Sequence, residues 1–302
     1  MRIVVTGGSG MLCHCLMRRA APRHQVFGTY HTHPVEISGC NLAQLDITDE
    51  QMVDSMVKSL RPDVVIHAAA LTDVDACERA PEKARRINSD GTAIVAKATE
   101  QYGAHLIYIS TDYVFDGSKG NYVETDRPNP VNEYGASKYL GEEYAQHTCP
   151  TTTIIRTTMF GLKLPPQVGM MESMVAALRE GKSITRFVDQ YFSALYTGQL
   201  NEVILRMAER RVAGVFHVGS LKKISRFEFS KEVARVFSCE AAEIHPGPFR
   251  QMEGLARRPQ DTSLVSDKIS DQLGIAPLAV HDGLHELKRD WQGLGGEGMA
   301  LH

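Results

Sequence analysis

A doubly wound α/β protein, with a parallel sheet covered by helices on both faces and a smaller C-terminal α/β lobe, is the fold class the 302-residue sequence predicts. Three observations carry it. Short apolar runs alternate with longer amphipathic ones through the first half of the chain, the pattern of β-α-β crossovers. Most of the short runs are hydrophobic throughout, as strands buried on both faces require. A glycine-rich turn, "VTGGSGML", follows the first of them directly.

In chain order, "RIVVTG" (2–7), "QVFGTY" (25–30), "DVVIHAAA" (63–70), "HLIYIS" (105–110) and "TTIIRT" (152–157) read as strands, with helices over 10–20, 49–60, 79–101 and 132–147 between them. "GLKLPPQVG" (161–169), with two prolines and two glycines, reads as a loop before a helix at about 170–180. A helix at 198–210 and a strand "GVFHVGS" (214–220) restore the earlier rhythm, so the chain leaves the sheet and rejoins it. Helices at 225–238 and 281–291 flank a proline-containing connection at 246–259, and the Gly-rich end "GLGGEGMALH" reads as frayed. The division expected is a dinucleotide-binding domain of residues 1–160 plus 189–220 and a substrate lobe of 161–188 plus 221–302.

Composition narrows the functional classes. With 43% hydrophobic and 23% charged residues the chain can bury one large core or a core plus a lobe. A net charge of −3 supplies no basic field for nucleic acid. No apolar run has the length of a transmembrane helix and no signal-peptide core opens the chain, so a cytoplasmic protein with no membrane partner is expected. Six scattered cysteines without a C-x-x-C pair argue against a zinc knuckle and a disulfide framework, and no metal site is expected.

Gly7 and Gly10 keep the first two spacings of a dinucleotide-binding fingerprint, the first for the tight turn off the strand and the second for backbone approach to a pyrophosphate at a helix N-terminus. Cys13 stands at the third, whose role is close helix-to-strand packing, and a small, often buried side chain can fill it. Taken alone the loop is equally compatible with an ordinary turn between strand and helix. The second strand, where an acidic residue selects NAD, ends in Tyr30-His31-Thr32-His33, with no carboxylate before Glu36. Imidazoles and a hydroxyl favour the 2′-phosphate of NADPH, with NADH open and simple solvation of a loop by these histidines the alternative. Further ligands near His31 and His33 for a metal are lacking.

The block "YISTDYVFDG" (108–117) followed by "NEYGASKYLGEEYA" (132–145) is the sharpest feature. A strand ends at Ser110-Thr111, and the next helix carries Tyr134 and Lys138 four apart, on one face. A phenol near pKa 10 is a poor acid or base at neutral pH, whereas an ammonium one turn away and a nicotinamide cation stabilise its phenolate. Thr111 would then polarise a carbonyl while Tyr134 delivers the proton. Y-x-x-x-K by itself also describes an amphipathic helix with a snorkelling lysine, so its weight comes from position: glycine loop, hydroxyl at a later strand end, then Tyr and Lys.

This order of motifs makes the domain Rossmann-type and resembles the extended short-chain dehydrogenase/reductase superfamily. The details resemble the dTDP-4-dehydrorhamnose reductase family: "MRIVVTGGSGML" (1–12), "LDITD" (45–49), "PDVVIHAAALTDVDACE" (62–78), "STDYVFDG" (110–117), "YGASK" (134–138), "RTTMFG" (156–161), "DQYFSALYT" (189–197) and "RPQDTSL" (258–264). The resemblance implies that Gly10, Met11 and Leu12 line the pyrophosphate, that Asp46 and Ile47 lie beside the adenine, and that Ala69, Ala70 and Thr72 lie along the cofactor. It implies Thr111, Tyr134 and Lys138 as the catalytic set, Thr111 and Asp112 as sugar contacts, and Asn88 as a brace. Tyr134 and Lys138 would also touch the cofactor. The activity implied is NAD(P)H-dependent reduction of a keto group on a nucleotide-linked deoxysugar.

Cys13 departs from the family pattern, as do "RTTMFG", which lacks a frequent tryptophan, and Ala194, where a proline is usual. The last two lie on the substrate side and leave the sugar open. An epimerase or dehydratase is an alternative, although the Glu that a dehydratase pairs with the carboxylate is absent from "STDYV". A second alternative is a non-catalytic NADP-binding subunit resembling the regulatory β-subunit of methionine adenosyltransferase. Oligomeric state, a homodimer among the options, is left open by the sequence.

Overall fold

In the computed structural model, which describes residues 1–163, 167–239, 242–251 and 253–293, seven strands form one parallel sheet. They are β1 (Arg2–Thr6), β2 (Gln25–Tyr30), β3 (Asn41–Gln44), β4 (Val64–His67), β5 (His105–Ile109), β6 (Thr153–Thr157) and β7 (Gly214–Val218), in the order β7-β6-β5-β4-β1-β2-β3. Every residue of β4, β5 and β6 is buried, which explains why these strands read as unbroken apolar runs.

The helices are α1 (Met11–Ala20), α2 (Glu50–Leu60), α3 (Val74–Arg79), α4 (Pro81–Arg85), α5 (Gly91–Gln101), α6 (Glu133–Thr148), α7 (Met170–Arg179), α8 (Thr197–Arg210), α9 (Arg226–Val236), α10 (Asp267–Leu273) and α11 (Val280–Gly293). Side chains that prefer non-helical backbone start several of them: Asp49 accepts from the Met52 amide at 3.0 Å, and Asn132 from the Gly135 amide at 2.9 Å. The chain runs outward from β1 to β2 and β3, then crosses back to β4 and runs the other way. That reversal opens a crevice at the carboxyl ends of β1 and β4, the place where open α/β sheets bind ligands.

Several elements differ from the sequence expectation, α3, α10 and the short strands outside the sheet having no counterpart in it. The single helix expected over 79–101 is α4, a π-helical turn at Arg86–Asp90, and α5, with α3 ending at Arg79. Pro81 lacks an N–H and pushes Ala80 out of helical space, to φ −139° and ψ 68°, which breaks the run. β3 was absent from the expectation because "NLAQ" is a mostly exposed edge strand with no apolar run to mark it.

Beyond the sheet, three short strand pairs form: Ile184–Phe187 with Ile244–Gly247, Tyr191–Phe192 with Ile224–Ser225, and Met159–Phe160 with Leu195–Tyr196. They surround a second apolar cluster that includes Phe160, Phe192, Phe229 and Trp291. Ile269 and Leu273 of α10 pack instead into the cluster beneath the sheet, with Ile3 and Phe216. Residues 161–163 and 167–169 of the expected loop carry no regular structure; its centre, 164–166, and residues 294–302 of the expected frayed end lie outside the described residues. No helix among the described residues is long and apolar enough to cross a membrane.

Candidate active site

The glycine turn is built by two constraints. Gly7 has φ +75°, and a Cβ there would lie 3.0 Å from the Ala69 backbone, so the turn and the close approach of β1 to the segment after β4 both need glycine. Gly10 caps α1 with extended backbone, and its amide donates to the Gly7 carbonyl at 2.9 Å. The start of α1 has neither a side-chain cap nor an acidic residue in its first turn. Its amides therefore face the crevice with a partial positive charge suited to a pyrophosphate, which is the feature of this chain that fits a dinucleotide. Met11 and Leu12 supply the first two of those amides, while the Leu12 side chain is buried in the core. Cys13 is also buried, its thiol 3.8 Å from the Thr6 carbonyl, and burial pushes that thiol up to about 12. It is a packing group between α1 and β1.

At the end of β2, His31 is exposed and its Nε2 stands 3.8 Å from the Asp46 carboxylate. Asp46 accepts from the Thr48 amide and hydroxyl, both at 2.8 Å, and the amide bond chiefly holds its pKa below the ordinary value. A carboxylate thus does stand near the end of β2, brought there by the turn after β3 and invisible in the local spacing. Ile47 turns inward among Val4, Val53 and Val65. Thr32 and His33 pair with each other at 2.9 Å on the surface. Among the described residues no group of three or more His, Cys, Asp or Glu side chains could hold a metal ion.

The segment after β4 is pinned from both sides. Amides of Ala68 and Ala69 donate to the Thr6 hydroxyl at 3.2 Å each. Asn88, fully buried on the π-helical turn, accepts from the Leu71 amide at 2.8 Å and donates to the Leu71 carbonyl and the Ser137 hydroxyl, both at 3.0 Å. Ala69 and Ala70 are half-buried and Thr72 is exposed along this edge. His67, unremarked in the sequence, lies beneath: its ring joins the Thr6 and Thr92 hydroxyls at 2.7 and 3.1 Å, and burial lowers it to about 3, so it is a neutral bridge.

Thr111 caps the short turn Asp112–Val114 after β5, accepting from the Tyr113 amide at 3.1 Å. The Tyr134 phenol, at the start of α6, stands close enough to Thr111 for that hydroxyl to act on it. Burial pushes the phenol above its ordinary value, and Thr111 acts in the opposite direction. Lys138, one turn on, is buried; its ammonium donates to the Ile109 carbonyl at 2.8 Å and lies 4.1 Å from the Tyr108 ring centroid. Burial lowers Lys138 to about 7, opposed by the carboxylate of Glu142. The ammonium is thus seated at the strand end, one turn of α6 beyond Tyr134. Asp112 accepts from Thr262 at 2.5 Å and from Thr111 at 3.2 Å, and burial raises it to about 6.

The structure thus brings Thr111, Asp112, Tyr134 and Lys138 together, and Gly7 with Ala69, at neighbouring strand ends; His31 and Asp46 form a separate group beyond β2. Thr262 and Arg156 fall within the "RPQDTSL" and "RTTMFG" segments, but nothing local marks their bonds to Asp112 and Glu142, 150 and 14 residues away. Glu142 did carry a local signal, falling four residues after Lys138 on the same face.

Residues 1–292 match the RmlD substrate binding domain model. The dTDP-4-dehydrorhamnose reductase of Mycolicibacterium smegmatis is 32% identical, over 96% of this chain and 83% of the relative. The methionine adenosyltransferase 2 subunit beta of Danio rerio is 29% identical, over 96% and 92%. A crystal structure of the Bacillus anthracis dTDP-4-dehydrorhamnose reductase in complex with NADP superposes with a TM-score of 0.83 at 28% identity, covering 96% of this chain and 99% of that one. With a switch-point crevice, a glycine turn at its floor and the Thr-Tyr-Lys group beside it, the chain belongs to the RmlD substrate binding domain family of the extended short-chain dehydrogenase/reductases.

Proposed function

We propose that the protein reduces the keto group of a nucleotide-linked deoxysugar with NADPH, most simply the 4-keto group of a dTDP-6-deoxyhexose. The observation that carries this reading is the convergence of Thr111, Tyr134 and Lys138 beside an uncapped helix start. NADPH, when bound, supplies the hydride. The amides that begin α1, with Gly10 keeping their approach open, hold the pyrophosphate, and Ala69, Ala70 and Thr72 line the path toward the substrate. Thr111 donates to the keto oxygen and orients it. Tyr134 gives its phenolic proton to the same oxygen, and its high pKa keeps it protonated and ready at neutral pH. Lys138 supplies positive charge beside the forming phenolate and a donor for the nicotinamide ribose, after leaving the Ile109 carbonyl. Asp112, held by Thr262, accepts from sugar hydroxyls.

In this reading residues 1–160 and 189–220 bind the cofactor and 161–188 with 221–302 enclose the sugar, α10 returning to pack beneath the sheet. The partner is a small nucleotide sugar. Net negative charge disfavours nucleic acid, a cytoplasmic location follows from the chemistry, and a homodimer is the assembly to test by light scattering.

A regulatory, non-catalytic role is the second reading, supported by the 29% identity to the methionine adenosyltransferase subunit. A dehydratase is less well supported because Tyr113 follows Asp112 where a Glu would pair with the carboxylate, while an epimerase stays open. Two incubations separate the three: NADPH with a panel of dTDP- and GDP-4-keto sugars, and NAD or NADP with the parent dTDP- and GDP-hexoses. Loss of nicotinamide absorbance with a keto sugar marks a reductase, product from a hexose without net change in the cofactor marks an epimerase or dehydratase, and tight NADPH binding with neither marks the regulatory role.

A further inference from the structure

The face of α6 that carries Tyr134 and Lys138 continues to Glu142, and the three side chains meet consecutive residues at the end of β5. Tyr134 stands near enough to Thr111 for the hydroxyl to act on its phenol, Lys138 meets the Ile109 carbonyl at 2.8 Å, and Glu142 accepts from the Ser110 hydroxyl at 2.5 Å. Glu142 is buried, and a buried carboxylate needs a partner. Arg156 of β6 provides it with three bonds, from Nε at 3.0 and 3.1 Å and from a terminal nitrogen at 2.7 Å; the two side chains are 5% and 2% exposed. Such a two-pronged grip fixes the plane of the carboxylate as well as its position. The Ser110 amide, in turn, donates to the Ile155 carbonyl at 2.7 Å, next to Arg156. Strand end, helix and neighbouring strand are therefore locked together at this point.

We propose that Glu142, clamped by Arg156, is a positioning residue: through Ser110 and its place one turn beyond Lys138 it seats the Ile109–Thr111 strand end and the lysine in register with Tyr134. None of the three side chains needs to touch substrate for this. The pair costs the protein desolvation of two charges, and fixed placement of neighbouring catalytic groups is what that arrangement supplies, since small misplacements of such groups slow a reaction steeply.

The test is a double-mutant cycle on the full chain, read by NADPH fluorescence titration and by the unfolding midpoint without nucleotide. Glu142→Gln and the milder Ser110→Ala are each made alone and with Lys138→Met. Each is expected to weaken NADPH binding about threefold to tenfold, the scale of one mis-set hydrogen bond, and to have no further effect once Lys138 is gone. A merely structural pair would cost the same in both backgrounds; that result, or unchanged affinity in the single variants, overturns the proposal. If Glu142→Gln does not fold, Ser110→Ala, which leaves the ion pair whole, provides the same comparison, and Ser110→Thr should restore wild-type binding. The inference rests on the cofactor reading. Should the wild type bind no NADPH, that reading fails by itself, and the proposal is decided by the unfolding midpoint, where coupling between Glu142 and Lys138 supports it and additive losses overturn it.

Discussion

The Thr262 hydroxyl donates a 2.5 Å hydrogen bond to the Asp112 carboxylate, joining residues 150 positions apart and tying the C-terminal segment to the turn that carries Thr111. Burial raises Asp112 to about 6 and the Thr262 bond acts against that rise, so losing the donor moves the pKa further up. Thr262→Val should therefore raise KM for the sugar severalfold, more at pH 6 than at pH 8, where the carboxylate is ionised in either form. NADPH affinity should not change. Steady-state kinetics at the two pH values, with an NADPH titration beside them, check this; a change confined to NADPH would contradict the placement of Asp112 on the sugar side.

The glycine turn gives a sharper test, because its positions carry different constraints. Gly10→Val places branched carbon where the pyrophosphate must meet the amides of α1, and cofactor binding should be lost. Cys13→Gly removes a buried side chain from a helix without touching that approach. It should leave NADPH affinity nearly unchanged while costing about 2 kcal/mol of stability, from helix propensity and lost burial together. Fluorescence titration and denaturant unfolding measure the two effects. A larger affinity loss in Cys13→Gly than in Gly10→Val would show that the third position, not the second, governs the loop.

Cofactor choice is expected to depend on His31. Its imidazole can donate to a 2′-phosphate, so NADPH should bind more tightly than NADH, and His31→Ala should shrink the margin a few fold. Asp46, 3.8 Å from His31, opposes a second negative charge there, so Asp46→Asn should widen the margin. Parallel titrations of both nucleotides with the three proteins decide it, and equal affinities for the two nucleotides would reject the assignment.

Much of this was legible in the sequence because the information was local. Continuous apolar runs marked β1, β4, β5 and β6, and a four-residue spacing put Tyr134 and Lys138 on one face of α6. What escaped was either unmarked or long-range. β3 has no apolar pattern because it is an exposed edge, and the break at Ala80-Pro81 was masked by an otherwise helical composition. The Asp46 carboxylate reaches His31 only through the fold, as Thr262 reaches Asp112 and Arg156 reaches Glu142. The direction of the Lys138 ammonium also depends on which acceptor is nearest, and spacing alone does not contain that.

Chemical activity of the Thr-Tyr-Lys group is open to direct measurement. Tyr134→Phe removes the proton donor while keeping the ring, so turnover should fall on the order of 10²–10⁴-fold with NADPH binding retained. Thr111→Val should lower turnover with little effect on NADPH affinity, and Lys138→Met should harm both. The pH profile follows from the lysine. Burial brings Lys138 to about 7, against the pull of Glu142, with neutral His67 and the Tyr108 ring as its other neighbours. It is charged below that value and neutral above it. If its charge supports proton release from Tyr134, kcat/KM measured with the free enzyme should decline as pH rises through about 7, above an acid limb set by Asp112 at about 6, whereas the phenol, held high by burial, stays protonated throughout this window. Glu142→Gln removes the group that opposes the shift and should move the decline to lower pH. A rate that rises through pH 7, together with a Tyr134→Phe variant as active as the wild type, would leave the regulatory reading as the better account of the same site.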